Sequence, residues 1–137
     1  MLTIRPEQFT AFQSVAEADF EHRILEHLRE HHADETVRLP EGDFTIEKLS
    51  DERMLELIRY GLKRARGYGT TWESSLTSFV VLMFVVAPNF DEQPAIKEVL
   101  KDESIEANLR IEEVWEKTSE NDWNKSAEQY NREAWFF

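Results

Sequence analysis

The chain contains no cysteine, and only four glycines and four prolines in 137 residues. Without cysteine there is no disulfide scaffold, no cysteine-ligated zinc finger and no thiol nucleophile, a composition compatible with a reducing compartment. So little glycine and proline excludes a collagenous or low-complexity chain. Basic residues are also scarce, 16 Lys and Arg against 28 Asp and Glu, for a net charge of −12. Nucleic acid and anionic membranes both require a basic footprint, so neither is an expected partner. Long apolar runs are missing as well. The most apolar stretch, residues 79–87, is closed by Pro88 and is less than half of the roughly twenty residues that a bilayer span needs. The opening residues, Met1 to Glu7, carry no apolar segment of the secretory kind, and a cytoplasmic location is expected.

What is present is helical periodicity. Pro6 suits the first turn of a helix, and Phe9, Phe12, Ala16, Phe20, Ile24 and Leu28 then recur at spacings of three and four, predicting a long helix over 6–32. Between 36 and 47, Val37, Leu39, Phe44 and Ile46 alternate with polar residues around Pro40-Glu41-Gly42-Asp43. This reads either as a small hairpin with a four-residue loop or as an irregular connection, because an isolated hairpin is marginal. Ser50 caps a second helix with Met54, Leu55, Ile58, Leu62 and Ala65 inward and Gly67 and Gly69 at its end. Thr70 and Glu73 have capping-box spacing and open a third helix running to about Ala87, nearly all apolar from Phe79 and therefore central.

Pro94 starts a fourth helix through Lys101. Ser104 caps a fifth with Ile105, Leu109 and Val114, and a sixth carries Trp123, Ala127, Tyr130 and Ala134. The expected fold is all-α, one domain over 1–137, a bundle of about six helices around a central apolar helix at residues 74–87, with either a small hairpin or an irregular connection over 36–47.

Catalytic motifs are few. His27-Leu28-Arg29-Glu30-His31 fits the H-x-x-E-H pattern of a zinc hydrolase, with two histidines on one helical face. The same string arises easily in a Glu-rich helix that holds all four histidines, so boundary histidines are the preferred reading and neither metal nor cofactor is expected. Gly67-Tyr68-Gly69 lacks the further residues of a nucleotide loop, and there is no G-x-S-x-G string.

Charge is distributed unevenly. Residues 1–50 carry 11 acids and 5 bases and residues 91–137 carry 13 and 6, whereas residues 51–90 carry 4 acids and 5 bases. Within that middle segment Arg59, Lys63 and Arg66 form a basic ridge opposite Ile58 and Leu62, with Arg64 beside it. The ridge either pairs with acids of the same chain or docks an acidic or carbonyl-rich protein surface. Trp135-Phe136-Phe137 likewise either plugs the core or anchors a partner. The candidate partner-binding residues are thus Arg59, Lys63, Arg66, Tyr68, Trp135 and Phe137.

Residues 57–69 (Leu57-Ile58-Arg59-Tyr60-Gly61-Leu62-Lys63-Arg64-Ala65-Arg66-Gly67-Tyr68-Gly69), then Thr70 and Glu73, Phe79, Leu82-Met83 and Pro88-Asn89-Phe90-Asp91, stand with an opening Ile4-Arg5-Pro6-Glu7-Gln8. In these scattered motifs, over roughly residues 4–115, the chain resembles small accessory proteins of bacterial type VI secretion effector clusters. The resemblance implies a helical, cytoplasmic, non-enzymatic co-chaperone or adaptor, whose partner is a toxin effector, its adaptor chaperone or a spike protein. It supplies no catalytic residues. An immunity protein that neutralises a toxin is the alternative among binding proteins, and a zinc hydrolase using His27, Glu30 and His31 is the alternative of another class.

Overall fold

The computed structural model describes the backbone of residues 6–136 and the side chains from residue 15 onward. Helix α1 spans Pro6–His31 and leads into a hairpin of β1 (Thr36–Leu39) and β2 (Gly42–Thr45). Helices α2 (Asp51–Gly67), α3 (Glu73–Val85), α4 (Pro94–Leu100), α5 (Arg110–Lys117) and α6 (Glu120–Glu128) follow. Three short 3-10 turns lie at Phe90–Glu92, Ala107–Leu109 and Arg132–Phe136. The all-α architecture with one small hairpin therefore holds.

Phe20, Ile24 and Leu28 of α1 are buried as the stripe requires, whereas Ala16 is exposed; Phe9 and Phe12 lie outside the described side chains. Helix α3 is central, touching α1, α2, α5 and β1, and Phe79, Val80 and Met83 are almost wholly buried. A Cβ on Gly61 of α2 would stand 3.1 Å from both Met83 Sδ and Val80 Cγ2, so the missing side chain is what lets α2 and α3 approach closely.

The hairpin forms, antiparallel with Val37 opposite Phe44, but its loop is the two residues Pro40-Glu41 and not four. It is not isolated. The backbone N–H of Arg38 donates to Tyr130 Oη at 3.0 Å, Trp135 Nε1 donates to Arg38 O at 3.2 Å, and Arg132 Nη1 donates to Leu39 O at 3.0 Å. Support from the far end of the chain supplies what two strands lack alone.

Four local expectations are corrected. Gly69 alone takes the left-handed backbone after α2, at φ +93°, while Gly67 is the helix's last residue. Thr70 does not cap α3. Asn108 reaches across the fold, and its Oδ1 accepts the N–H groups of Thr71 at 2.7 Å and Trp72 at 2.8 Å. Ser104 caps no helix: its N–H and hydroxyl both donate to Asp102 Oδ1, which holds a turn, and α5 begins only at Arg110.

The sixth helix stops at Glu128, short of Tyr130 and Ala134, with Ser126 buried and Ala127 exposed. Asn89 causes the break. Its Nδ2 donates to Gln129 O at 3.0 Å and its Oδ1 accepts from Asn131 N at 2.9 Å, which redirects the chain toward the hairpin.

Candidate functional site

Helix α2 carries most of the residues singled out by charge. Ser50 Oγ accepts the N–H of Arg53 at 3.2 Å and fixes its start. The apolar side packs on α3, which leaves Glu56, Arg59, Tyr60, Lys63 and Arg66 on the outer side.

Two ridge cations are already engaged within the chain. Arg59 Nε lies 2.9 Å from Glu21 Oε1, and Glu21 is only 6% exposed although it is charged. Arg66 Nη2 lies 2.9 Å from Glu17 Oε1. Both pairs tie α2 to α1, so the intramolecular reading of the ridge describes Arg59 and Arg66. Lys63 differs, having no ion pair or hydrogen bond among the described residues. It stands between two shallow clefts. One, of about 250 Å³, is lined by Tyr60, Lys63, Arg64, Met83, Ala134, Trp135 and Phe136. The other, of about 280 Å³, is lined by Glu56, Arg59, Tyr60 and Lys63.

Tyr60 is 39% exposed and meets Phe136 edge-on, with ring centroids 5.5 Å apart. Arg53 lies over the same Phe136 ring at 4.9 Å. Trp135 is 1% exposed and packs against Phe84 at 4.9 Å. That burial corrects the anchor reading of Trp135, which is a core residue and offers a partner only the edge of a cleft floor. Phe137 lies outside the described residues.

Tyr68 is not part of the outer face. Its hydroxyl donates to Asp91 Oδ2 at 2.7 Å, and Arg64 Nε donates to the same oxygen at 2.8 Å. Burial, followed by the hydrogen bond to Asp91, pushes the Tyr68 phenol well above its ordinary range. This partly buried group of tyrosine, carboxylate and guanidinium, with Asp91 its buried member, joins α2 to the turn before α4. Tyr68 is among the candidate residues read from the sequence, whereas Asp91 stands there only within the Pro88-Asn89-Phe90-Asp91 motif of the resemblance. Tyr60 is not among the candidate residues read from the sequence, its one signal being a large aromatic within the ridge, and Phe136 is named there only within the C-terminal Trp135-Phe136-Phe137; the two line one cleft.

The histidine string folds as an i, i+4 pair, with ring centroids of His27 and His31 4.8 Å apart and His32 5.7 Å from His27. Partial desolvation, and then the neighbouring His31 and His32, lower the His27 pKa. Among the described residues no group of three His, Asp or Glu is placed to hold a metal ion. Among them, too, no helix is long and apolar enough to cross a membrane.

Compared with protein-family models, with curated proteins and with solved structures, the chain matches none. The assignment of function therefore rests on the residues themselves.

Proposed function

We propose that the chain is a non-enzymatic accessory protein that binds another protein, and that its partner is a type VI secretion effector, the effector's adaptor chaperone or a spike protein. The observation that carries the binding reading is the outer face of α2. There Lys63, a cation without a partner among the described residues, sits between two clefts beside the exposed ring of Tyr60. An ammonium flanked by aromatic surface suits a carboxylate or carbonyl set beside an apolar side chain on a protein partner. The resemblance to secretion accessory proteins, in scattered motifs over roughly residues 4–115, supports the choice of partner. The cytoplasm of a bacterium is the compartment this reading requires.

The test is purification of the tagged chain from its native host with identification of the chains that accompany it, followed by binding measurements on the isolated pair. An effector, adaptor chaperone or spike protein is expected, bound about tenfold or more weakly by Lys63→Glu at an unchanged melting temperature. A partner of another kind, or one that binds Lys63→Glu and Tyr60→Ala as tightly as the wild type, overturns the reading.

A further inference from the structure

Trp115 of α5 and Trp123 of α6 stack with ring centroids 4.6 Å apart and planes inclined by 18°. The inner ring is held on both sides. Trp123 Nε1 donates to Thr118 Oγ1 at 2.9 Å, and the ring lies nearly parallel to Phe90, 6.2 Å away. Trp115 itself is 56% exposed. An indole fixed by stacking, yet open to solvent, has little freedom left to lose on binding and keeps a large apolar surface in water. Tryptophan is one of the residues enriched among interface anchors.

The neighbours of Trp115 determine what it would hold. Glu112 and Glu116 lie four residues apart on α5, with Leu109 just before its first residue; all three are exposed, and Glu112 is one turn from Trp115. The chain's acids elsewhere are widely paired: Glu17, Glu21, Asp51, Glu73, Asp91 and Glu92 each meet an arginine. None of the described ion pairs takes a carboxylate from α5 or α6. An open indole face next to two carboxylates is the chemistry that recognises a guanidinium or an ammonium, through the ring's negative face and through charge-assisted hydrogen bonds.

We propose that the outer face of α5 docks a basic segment of a partner protein, with an arginine or lysine of that segment over Trp115 and neighbouring cations on Glu112 and Glu116. This surface shares no residue with the α2 face, so the two can be tested separately.

The probe is a short fluorescein-labelled peptide of alternating arginine and alanine, titrated at low ionic strength and read by anisotropy. A chain of net charge −12 attracts any polycation, so a control must remove the same charge elsewhere. Trp115→Ala, and separately Glu112→Gln with Glu116→Gln, are expected to weaken binding about tenfold or more. Asp34→Asn with Glu35→Gln, at the exposed turn after α1, is expected to leave it unchanged. Equal losses from the test and control pairs, or no binding by the wild type, overturn the proposal. So does sedimentation showing a wild-type dimer that Trp115→Ala converts to monomer, which would assign the face to a second copy of the chain.

Discussion

At Gly61 two helices come as close as side chains allow, and the position sets two effects against each other. Alanine there would gain up to about 1 kcal/mol of helix propensity. Its Cβ would also meet Met83 Sδ and Val80 Cγ2 at 3.1 Å. Methionine can yield, but a β-branched Val80 inside a helix cannot rotate away, and forcing such a contact costs about 1–3 kcal/mol. Gly61→Ala is therefore expected to lose about 1 kcal/mol net, read as a drop of a few degrees in the melting temperature. A second residue-scale effect concerns pH. The folded state lowers the His27 pKa below the ordinary 6.5, so the unfolded chain binds the proton more readily. Stability then falls as pH drops through 6.5 and is regained above it. His27→Gln should flatten that part of the melting-temperature profile between neutral and mildly acidic pH; an unchanged profile would show that the imidazole cluster does not couple to folding.

Elements were legible where their signals are local, and obscure where a partner lies far along the chain. The 3.6-residue stripe of α2, the Ser50 cap and the alternation of the hairpin all read directly, because each depends on residues within a few positions of one another. The cap of α3 did not. Thr70 and Glu73 have suitable spacing, yet Asn108 takes the amides of Thr71 and Trp72 from more than thirty residues away. The end of α6 failed for the same reason, since its break is made by Asn89. The hairpin shows both sides of this. Its strands were visible in Val37, Leu39, Phe44 and Ile46, whereas its stability depends on Tyr130, Arg132 and Trp135. Tyr130 Oη both accepts from Arg38 N and donates to Arg38 O, and it accepts from Trp135 Nε1. Tyr130→Phe should therefore speed hydrogen exchange of the hairpin amides while those of α2 and α3 keep their protection. Uniform acceleration throughout would mean that the hairpin opens only with the whole domain.

At the scale of the whole molecule, the charge blocks of the sequence become an arrangement of helices. The acidic first block and the basic middle segment are joined directly, because Glu17 and Glu21 of α1 hold Arg66 and Arg59 of α2. Of the candidate site, the ridge was legible in the sequence; which of its cations are engaged was not, since that depends on how α1 lies against α2. The two pairs also differ in kind. Arg66 and Glu17 are both well exposed, and such a pair contributes at most about 1 kcal/mol. Glu21 is buried, and removing its guanidinium leaves a carboxylate with neither water nor a partner, at a cost of about 2 kcal/mol. Arg59→Glu should therefore lower the melting temperature by several degrees, and more than Arg66→Glu does. Exchanging the charges, Arg59→Glu with Glu21→Arg, should recover part of that loss, as a direct interaction demands. Lys63→Glu should leave the melting temperature where it was and act on partner binding alone. Should Arg59→Glu melt with the wild type, the contact to Glu21 contributes nothing, and Arg59 joins Lys63 as a cation free to meet a partner.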